Sequence, residues 1–325
     1  MVAEVDRVAI TTVVENSIDM LLPDEGPARR LGLIEHFDPR AVRPRAENGI
    51  AFLVRTERRG RSRTVLFDTS LTAEVLLHNF RAVGESPDEL SAVVLSHGHP
   101  DHHGGLAGLL DAVSHPLPVL VHPGAFAPRY LRLPGGEIAP HYNYELTAAS
   151  IEARGGAISP NTGPVEVIDG VLATGAIERR VDFERTGEQG ELEAGLFRLG
   201  EEGAIEADAV PDDQALVVNV AGAGLVVLTG CSHAGVINSV EAAREATGVD
   251  RVHAVMGGFH LGFPGVPAEK VERTIAAMQE VAPRYVAPMH CTGMAATARF
   301  MNAMPDRFLL NVSGTTVSFA AGDPR

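Results

Sequence analysis

Ten residues, Ser96-His97-Gly98-His99-Pro100-Asp101-His102-His103-Gly104-Gly105, bring together four side chains that bind divalent cations well: His97, His99, Asp101 and His102. Packing alone does not explain such a run, because each buried imidazole must find a polar partner. The alternating pair His97 and His99 can close on one ion, leaving Asp101 and His102 to reach a second. Two cations about 3.5–4 Å apart make hydroxide available near neutral pH, which can attack an ester, lactone, amide or phosphoryl centre. No Ser or Cys nucleophile constellation offers a competing route.

The elements around this stretch must position it. The apolar run 92–95 reads as a short buried strand and 106–110 as the start of a helix, so the ligands sit on a strand-to-helix loop. Three more apolar strands end in His-bearing turns: 117–121 in His122-Pro123, 224–229 in Gly230-Cys231-Ser232-His233, and 285–288 in Met289-His290-Cys291. Strand ends are where open α/β sheets place reactive groups. A further strand, 252–256, ends in Gly257-Gly258-Phe259-His260 and faces the same edge.

Strands are also expected at 8–14, 50–54, 64–67, 165–168, 171–174 and 215–220. Helical spacing joins Val75, Leu76, Asn79, Phe80 and Val83; further helices follow Gly235 and Pro267. Residues 16–48 lack a period and read as a long loop near the site mouth. Residues 124–163, with His141, Tyr142 and Tyr144 close together, read as a lid-like insertion, and 182–212 as an acidic excursion. The chain, 1–325, is read as a single α/β domain.

Composition limits the partners. A formal net charge of -15 argues against general affinity for nucleic acid or an anionic membrane surface, so a small-molecule substrate is expected. No apolar segment approaches a membrane span, and the N-terminus, with Glu4 and Asp6, lacks a signal pattern; a cytoplasmic location is expected. Cys231 and Cys291, the only cysteines, make no disulfide framework. Oligomeric state is not legible.

The spelling H-x-H-x-D-H resembles the metallo-β-lactamase superfamily. The resemblance extends through Ile10-Thr11-Thr12-Val13-Val14-Glu15-Asn16, Asp213-Gln214-Ala215-Leu216, Gly230-Cys231-Ser232-His233-Ala234-Gly235, Gly257-Gly258-Phe259-His260-Leu261 and Pro288-Met289-His290-Cys291-Thr292-Gly293. Together these look like the family named for 7,8-dihydropterin-6-ylmethyl-4-(β-D-ribofuranosyl)aminobenzene 5'-phosphate synthase, whose other members are described as metal-dependent hydrolases. It implies an αββα sandwich with the metals at one edge. The chain departs from the pattern at Pro100, His103 and Ser70, where Gly is usual after Asp68-Thr69.

Other superfamily members draw a third His from a P-G-H-T turn and a bridging Asp from a later G-D turn. Here the equivalent stretch is Ala209-Val210-Pro211-Asp212-Asp213, and Cys231 stands where the bridging Asp would be. The resemblance therefore points to His233 as the missing ligand, with a contact to substrate as its other reading. It implies His97, His99 and His233 at one ion, and Asp101, His102 and His290 at the other, His290 matching the superfamily's final ligand. Cys231 either bridges the metals as a thiolate or is a small buried residue in a tight turn.

Asp68 is expected to orient a ligand histidine. His122 is expected to line the pocket or hydrogen-bond beneath the site. His260 is read as a contact to substrate or leaving group. Arg179 and Arg180 repeat a basic element of this family and are read either as a bidentate phosphate clamp or as a solvated charged loop.

The expected function is a dinuclear metallohydrolase acting on a small anionic, phosphorylated substrate. Zinc is the first choice of cofactor, with manganese or iron also suited to mixed nitrogen and oxygen ligands. Asp101 would orient the hydroxide, and His260 or His233 would protonate the leaving group. The alternatives are a transferase condensing a dihydropterin-methyl diphosphate with ribofuranosylaminobenzene 5'-phosphate, as the family name implies, and a lactone or ester hydrolase. A non-catalytic metal-dependent sensor is a third class, which no missing ligand in the loop recommends.

Overall fold

The computed structural model describes residues 2–32, 37–133, 135–141, 146–184, 196–200 and 203–323. Apolar strands buried on both faces need two layers of cover, and two mixed sheets supply it by packing face to face. The first sheet has the order β2 (Ala28–Arg29), β18 (Thr316–Ala320), β1 (Arg7–Val14), β3 (Ala51–Arg58), β4 (Arg61–Phe67), β5 (Ala92–Val94), β6 (Leu117–Val121) and β9 (Gly156–Pro160). The second runs β10 (Val165–Ile168), β11 (Val171–Ala173), β14 (Ala215–Val220), β15 (Gly224–Thr229), β16 (Val252–Gly258) and β17 (Tyr285–Met289).

Alternation along the strands divides the core. In β15, Val226 and Leu228 pack between the sheets with Val54, Phe67 and Val94, while Leu225 and Val227 face helices Val236–Thr247 and Ala268–Val281. On the other side, Leu66, Val93 and Val119 meet helices Ala73–Ala82 and Leu106–Ala112. The result is the expected αββα sandwich.

Strands β4, β5, β6 and β9 are parallel, as are β15, β16 and β17. Their carboxyl ends from both sheets therefore present their turns along one edge. The hairpin β3–β4 closes at Arg58↔Arg61, with Arg59 and Gly60 both at positive φ, as a tight two-residue turn requires.

A third sheet, β13 (Ile205–Ala207), β12 (Leu196–Leu199), β7 (Arg129–Arg132) and β8 (Ile138–Pro140), joins described parts of residues 124–163 and 182–212. Its residues are mostly half-buried or exposed, so they carry little apolar signature. The region 124–163 also contributes β9 to the main sheet, beyond the lid expected there. Tyr142 and Tyr144 lie outside the described residues. No described helix is long and apolar enough to cross a membrane.

Candidate metal centre

The loop after β5 turns sharply because Pro100, a well-tolerated first helical residue, starts a short helix Pro100–His103 just past His99. Gly98 is required by close approach: a Cβ there would strike the Arg129 guanidinium and the Ala125 carbonyl. The loop thus points His97 and His99 to one side and sets Asp101 and His102 one helical turn on.

The side chains converge in two groups. Ligand atoms of His97, His99 and His233 lie within 4.8 Å of one another, and those of Asp101, His102, Cys231 and His290 do likewise. Ring centroids are 4.7 Å apart for His97 and His233, 4.1 Å for His97 and His102, and 5.1 Å for His102 and His290. Nε2 of His97 faces Nδ1 of His99 at 3.0 Å. Every member is buried except Asp101, whose side chain keeps 31% exposure and so forms the wet rim of the site.

The rings of His102 and His290 are each held by a partner on the far nitrogen. Asp68 accepts Nδ1–H of His102 at 2.6 Å and also the Ser96 amide and hydroxyl, both at 2.7 Å. His102 thereby turns Nε2 inward, 3.1 Å from Cys231 Sγ. Asn16 Oδ1 stands 3.1 Å from His290 Nδ1, and Glu15 accepts the His290 amide at 2.8 Å. Fixing the outward nitrogen selects the tautomer whose inward nitrogen can bind a cation.

Electrostatics divide the rings. Burial, with His102, His99 and His233 close by, holds His97 well below its ordinary pKa; burial does the same to His99 against the opposing pull of Asp208. Both offer neutral nitrogen lone pairs. Burial opposes the charged form of His102 too, but Asp101 and Asp68 outweigh it and raise the ring to about 9. Desolvation works against the Asp101 carboxylate, yet His102 and His290 hold it well below the usual range. Burial pushes the Cys231 thiol up.

Backbone strain gathers around the same edge. Asp68, Ser70, Ser232, His260 and His290 all have φ between 51° and 62°, the left-handed region that non-glycine residues enter at a cost. Ser70, where the resemblance has Gly, adopts that conformation with its hydroxyl donating to Glu47 at 3.0 Å.

The structure brings His260 into the centre: its ring lies 4.2 Å from His233, and its ligand atom groups with those of Cys231 and His233. His122 uses Nδ1 to accept the Gly124 amide at 3.0 Å and caps the turn Pro123–Phe126. Arg179 donates to the carbonyls of Ala209, Val210 and His233, so it braces the His233 turn from behind. Arg180 pairs with Glu178 and Glu245 on the exposed side of helix Val236–Thr247. Of the two readings of these arginines, the contacts of Arg180 are those of a charged surface loop, while Nε of Arg179 is buried without a hydrogen bond.

Three residues near the ligands have no signal in the local sequence: Arg129, Asp208 and Asp212 form a buried ion-pair group behind His99. His141 adds a ring 5.3 Å from His99. A cavity of about 280 Å³ opens beside the loop, walled by Phe126, Pro128, Tyr130 and Leu146 with His103 and His141. His103 is held down at about 4 by burial and the nearby Arg129, so it lines this space as a neutral ring.

The donor set suits divalent cations. Nε2 of His290 is buried without a hydrogen bond, standing 3.4 Å from Asp101, and two neutral nitrogens of His97 and His99 confront each other. Imidazole, carboxylate and thiol in threes and fours match borderline metals such as zinc.

The sequence model of the family described as the metallo-beta-lactamase superfamily matches residues 45–246. A Methanocaldococcus jannaschii protein, 7,8-dihydropterin-6-methyl-4-(beta-D-ribofuranosyl)-aminobenzene-5'-phosphate synthase, is 31% identical over 276 residues, covering 84% of this chain and 90% of that one. Among solved structures, a metal-dependent hydrolase of the beta-lactamase superfamily superposes with a TM-score of 0.71 at 24% identity, over 96% of this chain and 99% of its own. A diphosphatase from the PhnP family superposes with a TM-score of 0.50 at 12% identity, over 96% and 97%. At these identities the two structures speak to the fold alone.

Proposed function

This chain belongs to the metallo-β-lactamase superfamily, in the branch of the dihydropterin-methyl-ribofuranosylaminobenzene phosphate synthase, and is an enzyme; on that premise we propose a dinuclear metallohydrolase acting on a small anionic, phosphorylated substrate. The observation that carries this reading is the division of donors into two adjoining groups, His97 with His99 and His233, and Asp101 with His102, Cys231 and His290. Zinc is the cation of first choice, with manganese or iron suited to the same donors. When bound, the cations would supply hydroxide near neutral pH and neutralise charge on the reacting oxygens.

The protein's own groups do the rest. Asp101, ionised and at the wet rim, accepts a hydrogen bond from the attacking water and orients it. His260, beside His233 and 5% exposed, would hand the leaving oxygen a proton. Asp68 and Asn16 keep His102 and His290 turned inward. With Arg179 and Arg180 engaged elsewhere, the substrate's anionic group falls to the cations themselves.

A second reading, transfer rather than hydrolysis, is favoured by the name of the 31% identical relative. There the same donors would hold a departing diphosphate. Incubating metal-depleted and zinc- or manganese-restored protein with phosphomonoester and phosphodiester panels, and separately with a dihydropterin-methyl diphosphate plus ribofuranosylaminobenzene 5'-phosphate, separates the two. Metal-dependent release of phosphate or alcohol supports hydrolysis; a condensed product by mass spectrometry supports transfer. Full activity in a His97→Ala, His99→Ala double variant overturns both.

A further inference from the structure

Behind the His97–His99 arm lies a set of charges whose number does not balance. Arg129, the first residue of β7, is buried, and its guanidinium donates from Nε to Asp208 at 2.6 Å and from Nη2 to Asp212 at 2.5 Å. Asp212 spends its other oxygen on the Gly98 amide at 2.8 Å, so it pins the peptide between the two histidines. Asp208 accepts the Val210 amide at 2.8 Å, and its second oxygen stands 3.8 Å from Nε2 of His99. That nitrogen is buried and makes no hydrogen bond, while Nδ1 of the same ring faces His97.

Two carboxylates thus share one guanidinium out of contact with water. A buried charge left without a partner is costly, so a further donor is called for. Nε2 of His99, buried without a hydrogen bond, stands 3.8 Å from Asp208 and is suited to that role. A cation drawing on Nδ1 leaves the ring's proton on Nε2, aimed at Asp208.

We propose that Asp208 is a positioning residue that accepts a hydrogen bond from Nε2–H of His99 and so commits Nδ1 to the cation, with Arg129, from the third sheet, and Asp212 locking the group in place. The inference rests on the reading that His97, His99 and His233 hold a metal ion. It makes that half of the centre depend on segments far from the ligand loop in the chain, while the half built on Asp101, His102 and His290 has its own props in Asp68 and Asn16.

The test uses the full chain, depleted of metal and titrated with zinc against a chromophoric chelator. Asp208→Ala is expected to weaken one of two zinc equivalents about 10- to 100-fold, in line with the loss of an outer partner of a ligand histidine, and to leave the other unchanged, with circular dichroism reporting the fold. Unchanged affinity at both equivalents, or equal weakening of both, overturns the proposal. Nitrogen NMR of histidine-labelled, zinc-loaded unaltered protein decides the matter even if the variant does not fold. Zinc on Nδ1 of His99 with a protonated Nε2 is expected; zinc on Nε2 overturns it. Protein that takes up no zinc overturns the metal reading itself, whereas two zincs with His99 bound through Nε2 overturn only the role of Asp208.

Discussion

The carboxylate of Asp68 lies 2.6 Å from Nδ1 of His102, and both side chains are sealed from solvent. The same carboxylate holds the Ser96 amide and hydroxyl, so one residue at the end of β4 governs both the entry to the ligand loop and the tautomer of its last histidine. Asp68→Ala is expected to reduce zinc affinity about 10- to 100-fold, as removal of an orienting carboxylate does elsewhere. Equilibrium dialysis with elemental analysis checks this; wild-type metal content at limiting zinc contradicts it.

Cys231 stands 3.1 Å from His102 Nε2 and groups with Asp101, His102 and His290 and also with His233 and His260. Burial keeps it a thiol until a cation claims it as thiolate. Cobalt-loaded protein should therefore show a sulfur-to-metal charge-transfer band that disappears in Cys231→Ser while cobalt stays bound. An identical spectrum in the variant removes the thiolate from the centre and leaves Cys231 a packing residue.

Glu184 offers a pH prediction away from the ligands. Its carboxylate accepts the amides of Ile237 and Asn238, each at 2.9 Å, at the start of helix Val236–Thr247. Burial nevertheless raises it from 4.5 to about 7, against those hydrogen bonds. The folded chain then binds this proton more tightly than the unfolded one, so the contribution is fully present below about 4.5 and is lost as pH rises through about 7. Thermal melts should show Tm falling over that window, and Glu184→Gln should flatten the fall. Equal slopes for both proteins would falsify the assignment.

Removing Arg129 strands Asp208 and Asp212 in the interior. Arg129→Ala is expected to cost about 3–5 kcal/mol of stability, the range for breaking a buried ion pair from one side. Denaturant unfolding at neutral pH measures it. A loss below about 1 kcal/mol, the level of an exposed pair, shows that the three charges are not the sealed group described.

The legible parts were those whose chemistry is local. His97, His99, Asp101 and His102 sit within six residues, and the apolar strands before His233 and His290 announce their turns. Unread were the partners that reach the site across the chain. Asn16 meets His290 over 274 positions, and Arg129 meets Asp208 and Asp212 over 79 and 83. A lone Asn, Arg or Asp in an irregular stretch carries no pattern that says which ring it will face. Helix Gly293–Ala303 escaped for a different reason: it starts at a glycine with φ 70° and no side-chain cap, and it exposes Met294 and Met301, so neither start signal nor apolar stripe marks it.

All of the chemistry assigned above depends on a pair of ions at one rim of the sandwich. Anomalous diffraction from zinc-loaded crystals tests that most directly. Two peaks are expected, one bonded to His97, His99 and His233 and one to Asp101, His102 and His290, at about 2.0–2.2 Å from nitrogen and oxygen. A map with no peak at this edge, or with zinc only at sites elsewhere on the chain, contradicts the account.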